Sequence, residues 1–441
     1  MTGLQNSISM DEKLSGAFSN LPEETPKSDK TKAAFTKFIA CRNYLTERYE
    51  FRKNLISTEL EYRMRIAKQK LEDHAGWRFF GDYEWSMVQN DLLINAGLDI
   101  ADNKLKSIVE GGLATEYDPF REYLRKLPIW TKDVDVDHIK EFLKQIELVD
   151  EGYRGYLEEC FKKWFVAYVT ALTEDRVVNH TCIVLVGDQG VYKSTFFNNL
   201  LPAHLSLDYY YNGPFNPAVK DHQLFLGTKM IINLEELATL NRTDVEALKG
   251  TITQDRVVLR KAFGRADIKL WRRASFVASI NQDEFLTDMS GSRRFLVFKV
   301  KGINLNNFNV DLLYSQALGL RAKDFQYWFD RANIEEVNEY NENFRMKSLA
   351  EDTILNNYRM PTQEDYDAKM VRFMTTSDII WDMAAKHNKL NVNDSSMKNW
   401  GAALKKLGFI VASKRINGEP RKGYLVVPVN RITGGEPESP F

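Results

Sequence analysis

Apolar residues in the central part of the chain form short runs bounded by polar or glycine-containing segments. These runs lie at residues 183–186, 230–234, 274–280 and 296–300. Such runs between turn residues are typical of strands buried on both faces of a parallel sheet. Helical periodicity surrounds them, as in residues 155–172, where aromatic residues on one face predict core packing. The pattern predicts an α/β domain, which we place at residues 151–350.

The N-terminal part of the chain has a mixed pattern. Residues 1–32 are rich in Ser, Glu, Lys, Asn and Pro and lack periodicity, so we expect them to be disordered. Two alternating segments flank Ile56-Ser57-Thr58, which predicts a β-hairpin. The pattern from Tyr83 to Glu110 fits two helices. Residues 33–150 are therefore predicted to form an α+β accessory domain.

The pattern changes again near the C-terminus. Residues 351–370 are polar and predict a linker. Within residues 371–430, two amphipathic helices precede two strand-like segments that Asn417-Gly418 joins as a hairpin turn. Two helices followed by a hairpin predict a winged helix. We expect residues 431–441 to be a disordered tail.

Composition narrows the class of protein. The chain has 441 residues, of which 44% are apolar and 27% charged, as in soluble globular proteins. No apolar run approaches the ~18–20 residues of a membrane span, and the polar N-terminus lacks the apolar segment of a signal peptide. Three scattered cysteines suit neither a disulfide framework nor a zinc site. We therefore expect a cytoplasmic protein without a membrane partner.

Charge is distributed unevenly. The formal net charge is -1, so any nucleic-acid surface must be local. Residues 371–430 contain ten Lys and Arg against four Asp and Glu, a net charge of +6. This asymmetry favours a surface for DNA phosphates, and the alternative is a winged helix that docks on protein.

The loop after the first apolar run has the composition of a phosphate cradle. It comprises Gly187, Asp188, Gln189, Gly190, Val191, Tyr192, Lys193, Ser194 and Thr195. Glycines let backbone N–H groups approach an anion, the lysine supplies charge for terminal phosphates, and Ser194 offers a hydroxyl to Mg²⁺. The sequence thus predicts ATP and Mg²⁺ as ligands. Tyr192 stands where the usual motif has its second glycine, and the alternative is an ordinary glycine-containing turn.

Polar residues end the next two apolar runs. Glu235 and Glu236 follow the second run, where one carboxylate helps to hold Mg²⁺ with Ser194 and the other polarises the attacking water. Asn281 follows the third run and can orient that water or sense the γ-phosphate. Arg293 and Arg294 precede the fourth run and are candidate arginine fingers. We expect them to project beyond the edge that carries the phosphate loop; the alternative is a surface pair bound to nearby acids.

Two groups of basic residues are candidate DNA contacts. The first lies on a predicted hairpin at residues 256–271 and comprises Arg260, Lys261, Arg265 and Lys269. A solvated hairpin with a charged protective edge is the alternative. The second lies in the C-terminal module and comprises Lys398, Lys405, Lys406, Lys414, Arg415, Arg421 and Lys422.

The order of these motifs resembles the virulence-associated protein E family, which is similar to superfamily-three helicases within the AAA+ class. The resemblance covers roughly residues 115–345. Its most specific segments are Leu234 to Leu237, Asp244 to Lys249, Asn281 to Phe285 and Asp288 to Phe295. The fold it implies is a P-loop NTPase core. The function it implies is an ATP-driven DNA helicase that serves replication of a phage, plasmid or mobile element.

The resemblance also implies residue roles and partners. Lys193 and Ser194 take the nucleotide and metal roles, and Glu236 matches the catalytic acid better than Glu235. Asn281 acts as a sensor, and Arg293 or Arg294 reaches the nucleotide of a neighbour in a homo-oligomeric ring, which we expect to be a hexamer. The basic hairpin lines the pore and tracks single-stranded or duplex DNA.

Other interpretations remain open at this point. Family members often carry a primase domain ahead of the ATPase, and the first 110 residues contain no convincing primase constellation, so a separate primase is a possible partner. One rival function is a nucleotide-switched DNA-binding or defence-signalling protein that unwinds nothing. A degenerate P-loop that serves only assembly is another.

Overall fold

The computed structural model describes most of the chain. The described residues are 29–65, 76–131, 136–235, 237, 242–260, 267–281, 285–286, 291–386, 394–416 and 418–429. Glu236, Lys261 and Arg265 lie outside these ranges, as do residues 1–28 and the predicted tail. The predictions made for them stay predictions.

An N-terminal unit surrounds a small mixed sheet. Its elements are α1 (Asp29–Arg48), β1 (Tyr49–Asn54), β2 (Leu60–Met64), β3 (Arg78–Phe79), α2 (Asp82–Ala96), α3 (Asp102–Ile108), a π-helical turn (Val109–Leu113) and β4 (Thr115–Tyr117). The sheet order is β3-β2-β1-β4, and β1 and β2 form the predicted antiparallel hairpin. Helix α1 begins inside the segment expected to be disordered, because Cys41 and Leu45 of this helix are fully buried in the core of the unit.

A central unit carries the main sheet. Its elements are α4 (Pro119–Arg125), α5 (His138–Leu143), β5 (Ile146–Leu148), α6 (Arg154–Thr173), β6 (Cys182–Val186), α7 (Lys193–Asn198), α8 (Ala203–Tyr209), β7 (Tyr210–Asn212), α9 (Lys220–Thr228), β8 (Ile231–Leu234), α10 (Arg242–Thr253), β9 (Arg256–Arg260), β10 (Asp267–Trp271), β11 (Ser275–Ile280), β12 (Phe295–Ile303), α11 (Asp311–Ala322) and α12 (Arg331–Asn341). Strands β9 and β10 form a separate two-stranded sheet.

The main sheet has six strands in the order β5-β12-β6-β11-β8-β7. Every neighbouring pair is parallel except β5 and β12. Side chains alternate between two hydrophobic cores, so that Val184 packs on one face and Leu185 on the other. Burial at every position of β6, β8 and β11 explains why these segments are mostly apolar in the sequence.

The boundary predicted at residue 150 is wrong. Strand β5 pairs with β12, and Phe142 of α5 is buried in the same core as the main sheet. The central unit therefore begins directly after β4. The short apolar periods of α5 and β5 do not distinguish an accessory domain from an extra edge strand, which explains the error.

A C-terminal unit follows the central one. Its elements are α13 (Leu349–Asn357), β13 (Tyr358–Arg359), α14 (Gln363–Asp367), β14 (Arg372–Met374), α15 (Thr376–Lys386), α16 (Asp394–Lys406), β15 (Val411–Ile416) and β16 (Glu419–Pro428). Both β14 and β15 pair antiparallel with β16. None of the helices in the described part of the chain has the length and apolar character needed to cross a membrane.

The linker predicted at residues 351–370 is also wrong. Ile354 and Tyr358 are buried in the core of the C-terminal unit together with Trp400. The segment is polar because its carboxylates are held locally: Glu351 accepts from Arg345 at 2.7 Å, and Asp365 accepts from Arg359. Polarity here reflects satisfied ion pairs within a folded unit.

Candidate nucleotide site and basic surfaces

The loop after β6 is held close to neighbouring strands. The Gly187 N–H donates to the carbonyl of Ile280 at 3.0 Å. A Cβ at Gly187 would lie 2.5 Å from the carbonyl oxygen of Val300 on β12, so a larger residue could not stand there without moving that strand. Gly190 has φ 88°, a left-handed conformation that glycine adopts without strain. The structure therefore explains why glycine stands at both positions of the motif.

Tyr192 immediately precedes α7 and has φ 66°. The left-handed region costs a non-glycine residue roughly 1–2 kcal/mol, which explains why glycine is usual at this position. The Tyr192 side chain is 59% exposed. The carbonyl of Tyr192 accepts from the Phe196 N–H at 2.9 Å, so the helix begins normally despite the substitution.

Lys193 is buried, and its ammonium group is bound to neutral oxygens. The Nζ atom donates to the carbonyls of Gly187 and Asp188, both at 2.7 Å, and to Oδ1 of Asn281 at 3.0 Å. Burial lowers the pKa of Lys193, and the charge of Asp188 opposes this shift. Among the described residues, no carboxylate lies within ion-pair distance of Lys193. The site therefore contains a partly desolvated cation whose described partners are neutral oxygens.

Ser194 lies beside the acidic end of β8. Its hydroxyl donates to Oε1 of Glu235 at 2.8 Å. The Asn212 side-chain amide also donates to this oxygen, at 2.9 Å. A hydroxyl and a carboxylate in contact are hard oxygen ligands that suit Mg²⁺, which keeps several waters and takes few protein ligands.

Three further polar residues complete the site, and our sequence analysis missed them. Asn233 on β8 is fully buried; its amide donates to Oδ1 of Asn212 at 2.7 Å, and its own Oδ1 accepts from Ser279 at 3.3 Å. The Ser279 hydroxyl also lies 3.3 Å from that of Ser194. A polar residue inside each of two apolar runs was the sequence feature that could have identified Asn233 and Ser279.

Strand order brings four of the predicted residues together. Lys193, Ser194, Glu235 and Asn281 follow the carboxyl ends of β6, β8 and β11, which are adjacent and parallel. In open parallel sheets, ligands bind at this edge. The geometry combines a cation, a hydroxyl, a carboxylate and an amide around one loop, which are the groups that bind and polarise a phosphate chain.

The paired arginines lie elsewhere. Arg293 and Arg294 belong to a short 3₁₀ turn that precedes β12. Because Phe295 pairs with Cys182 at the start of β6, this turn lies at the amino-terminal edge of the sheet. Five residues of strand at ~3.3 Å each separate it from the phosphate loop by roughly 16 Å. The expectation that the arginines project beyond the phosphate-loop edge is therefore wrong, because β12 runs parallel to β6.

The predicted basic hairpin is present as β9 and β10, and Lys269 on it is exposed. Arg260 ends β9, directly opposite Asp267. Two arginines that directly follow the hairpin, Arg272 and Arg273, are buried, unlike the exposed Lys269. Arg272 and Arg273 are 1% and 8% exposed, so they cannot contact a polyanion in this conformation.

Arg272 is bound through backbone carbonyls. Its guanidinium donates to Ala274 at 3.0 Å, Thr251 at 3.3 Å, Asn179 at 3.1 Å and Ile252. Burial lowers the pKa of Arg272 to about 9, so it remains a cation at neutral pH. This buried cation fixes the base of the hairpin to three separate segments of the central unit.

The basic residues of the C-terminal unit are all exposed. They are Lys398, Lys405 and Lys406 on α16, Lys414 and Arg415 on β15, and Arg421 and Lys422 on β16. Lys414 lies directly opposite Arg421 in the hairpin, an arrangement of like charges that weakens a strand pair. None of the seven forms an ion pair with a described residue.

A family model, the virulence-associated protein E-like domain, matches residues 125–346, which is half of the chain. The chain belongs to the virulence-associated protein E-like family. The resemblance inferred from the motifs is confirmed. The virulence-associated protein E-like region begins at the end of α4 and ends after α12, so it coincides with the central unit and contains the predicted phosphate loop, Glu235 and Asn281.

Comparisons with curated proteins and with solved structures add less information about the chain. None of the curated proteins compared with the chain matches it. An apo structure of the NrS-1 C-terminal region, residues 305–718, is 12% identical with a TM-score of 0.46, and the match covers 88% of this chain and 99% of that one. The A form of the same region is 12% identical with a TM-score of 0.42, covering 89% and 99%.

Proposed function

We propose that this virulence-associated protein E-like protein is an ATPase of the AAA+ superfamily-three helicase type, with a P-loop core, which translocates on DNA during replication of a phage or mobile element. The observation that carries the proposal is the desolvated ammonium group of Lys193, held by neutral oxygens beside the Ser194–Glu235 pair. A site of this kind favours a polyphosphate, because the anion would replace weak neutral partners of a buried cation.

Each residue has a distinct role in this proposal. Lys193 exchanges its loop carbonyls for phosphate oxygens, while Asn281 stays close enough to orient the attacking water. Ser194 and Glu235 would hold Mg²⁺, which neutralises charge on the β- and γ-phosphates when bound. Glu236 is the next residue along the chain, and we assign it the role of general base for the water. Asn233 and Ser279 position the carboxylate of Glu235 and the hydroxyl of Ser194 through hydrogen bonds.

The arginine pair fits a role between subunits. Arg293 and Arg294 are too far from the phosphate loop of their own chain to contact its nucleotide. A head-to-tail contact that closes into a ring would bring them to a neighbour's nucleotide. Such a ring, which we propose to be a hexamer, would place the β9–β10 hairpin towards its centre, where DNA passes.

The C-terminal unit supplies the proposed duplex contact. Its order of strand, two helices and a hairpin whose long strand pairs with both neighbours supports a winged helix. Seven exposed basic residues without described ion partners support phosphate binding. The hairpin carries cations on opposed positions that repel each other, which favours an external anion.

The test is the rate of ATP hydrolysis with and without single-stranded DNA, measured beside strand displacement on a forked duplex. We expect stimulation by DNA and displacement that requires ATP, and both should be lost in Lys193→Ala. One specific observation favours the second candidate function, a nucleotide switch without unwinding: Tyr192 keeps a strained left-handed conformation in the loop. Slow hydrolysis that DNA does not change, with no displacement, would support that function instead.

A further inference from the structure

A cavity of about 650 Å³ opens at the amino-terminal edge of the central sheet. Arginine, histidine and aromatic side chains share its wall, among them Arg176, His180, Arg293, Arg294, Tyr327 and Trp328. None of the described residues that line it is Asp or Glu. The cavity is therefore both cationic and aromatic, and nothing in the nucleotide site described above uses it except the proposed arginine fingers.

The guanidinium groups of this cavity have few acidic neighbours among the described residues. Arg176, Arg293 and Arg294 form no ion pair with any residue in the described ranges. The buried Nε of Arg294 has no hydrogen-bond partner. Burial and the charge of Arg293 lower the pKa of Arg294, and Glu246 only opposes this shift. Guanidinium groups gathered without acids are the usual arrangement for binding phosphate.

The aromatic side of the cavity offers a flat apolar surface. Trp328 is 57% exposed, and its ring packs edge-to-face against Tyr327 with 5.5 Å between centroids. This contact holds the indole in place while leaving one part of it open. An exposed, fixed aromatic ring next to cations is the combination on which proteins stack nucleic-acid bases.

His180 completes the wall without adding charge. Partial burial, together with the guanidinium groups of Arg272 and Arg294, lowers the pKa of His180, so its ring is neutral at pH 7. Arg176 is held from behind, because its guanidinium lies 5.6 Å from the ring centre of Trp271 at the end of the basic hairpin. The cavity thus combines several guanidinium groups with an exposed aromatic ring.

We propose that this cavity is a nucleotide half-site, in which Arg176, Arg293 and Arg294 bind phosphates and Trp328 stacks on the base. The inference rests on the proposed function. The nucleotide that occupies the cavity can come from either of two sources. One is the nucleotide that the phosphate loop of a neighbouring copy presents. The other is a free nucleotide that binds the cavity directly.

The test measures binding of a non-hydrolysable, N-methylanthraniloyl-labelled ATP analogue to the full-length chain with Mg²⁺, by fluorescence anisotropy. Trp328→Ala should weaken binding by about fivefold or more, as loss of one stacked base predicts. Arg176→Ala should weaken it by about tenfold, as expected for a charged hydrogen bond. The matched controls are Trp381→Ala, at a tryptophan that is 63% exposed in the C-terminal unit, and Arg125→Ala, at an exposed arginine of α4. Both controls should bind like the wild type.

Two further measurements separate the sources. Binding that persists in Lys193→Ala and is weakened on adding Trp328→Ala identifies a free nucleotide in the cavity. Binding that is lost in Lys193→Ala, with an effect of Trp328→Ala only at concentrations where the chain self-associates, identifies the neighbour's nucleotide. If Trp328→Ala and Arg176→Ala match their controls at every concentration, the half-site is overturned. Phosphate release by Lys193→Ala reports separately on the proposed ATPase, since that function fails if the variant hydrolyses ATP normally.

Discussion

The two edges of the central sheet satisfy their charged groups in different ways. At the carboxyl-terminal edge, Lys193 has three hydrogen-bond acceptors and Ser194 is bonded to Glu235, so these polar groups have partners within one chain. At the amino-terminal edge, Arg293 and Arg294 face a cavity whose described lining contains no acid.

This difference shows which half of the site can exist alone. A network of neutral acceptors stabilises a buried cation without any ligand, whereas clustered guanidinium groups repel each other until an anion arrives. Under the proposed function, one edge would receive the nucleotide of its own chain, and the other would meet a nucleotide that comes from outside the chain.

The largest expected effect is a loss of ATP hydrolysis on substitution of an arginine at the amino-terminal edge. Arg293→Ala or Arg294→Ala should reduce ATP hydrolysis by about 10³–10⁵-fold if that arginine stabilises transition-state charge on a neighbour's nucleotide. Mixing this variant with Lys193→Ala should restore activity, because some interfaces then pair an intact loop with an intact arginine. If both parents assemble and the mixture stays inactive for each arginine, the arginines do not act between subunits.

The next effect concerns the carboxyl-terminal edge. Lys193→Ala should lower the hydrolysis rate by about 10²–10³-fold, because the phosphates lose a fixed cation in a partly dry site. Glu235→Gln should keep most of the nucleotide affinity and raise the Mg²⁺ concentration needed for half-maximal hydrolysis, because a proposed metal ligand loses its charge. Calorimetric titration with ATP and a phosphate-release assay measure the two quantities. Hydrolysis at the wild-type rate by Lys193→Ala would contradict the site assignment.

A third prediction concerns the exposed basic residues of α16, β15 and β16 in the C-terminal unit, which form no ion pair with a described residue. Charge reversal at Lys405, Lys406, Lys414 and Arg415 should lower the slope of log affinity for duplex DNA against log salt by about three to four, since each phosphate contact contributes about 0.9. The control reverses four exposed lysines outside this unit, namely Lys37, Lys53, Lys104 and Lys323. Equal slopes in the two variants would favour docking on protein.

A fourth prediction sharpens the description of the preorganised edge. Asn233→Leu removes the buried amide that links Ser279 to Asn212, and it should reduce kcat by about 10–100-fold with a smaller change in KM, as loss of a supporting hydrogen bond does in metal sites. Thr228→Val removes another buried hydroxyl, which bonds to Leu224 far from the loop, and should leave kcat unchanged. Equal loss of kcat in both variants would indicate a general effect on folding.

The smallest expected effect isolates the strain at Tyr192. Tyr192→Gly relieves the left-handed conformation and should be more stable than Tyr192→Ala by about 1 kcal/mol, because alanine keeps the Cβ that causes the strain. The midpoint of thermal unfolding measures the difference, and ATP affinity shows whether the tyrosine ring matters for binding. Equal stability of the two variants would mean that this residue carries no backbone strain.

Local patterns predicted most of the elements around the site. The apolar runs identified β6, β8, β11 and β12, and the residues after the first three of them could be assigned to one edge because parallel strands share their carboxyl ends. The virulence-associated protein E-like family could be recognised for the same reason, since its motifs are carried by these segments.

Long-range arrangement explains the errors. The position of Arg293 and Arg294 depends on the direction of β12 relative to β6, which a single sequence does not encode locally. Arg272 and Arg273 add to a basic stretch, yet backbone carbonyls and Asp175 bury them, and composition cannot distinguish such residues from surface cations. Similarly, the ion pairs that hold residues 351–370 within the C-terminal unit join polar residues that the sequence pattern assigns to a linker.

The buried guanidinium of Arg272 has a mechanical consequence. Its hydrogen bonds connect the base of the β9–β10 hairpin to the end of α10, to the segment before β6 and to the segment before β11. Because Arg272 is buried and donates to four carbonyls, a movement of the hairpin base would disturb several buried hydrogen bonds together. If the protein moves DNA as proposed, a displacement of the hairpin would reach the segments next to β6 and β11 through these hydrogen bonds. Arg176, whose guanidinium lies over the ring of Trp271 at the end of the hairpin, links the same region to the wall of the arginine cavity.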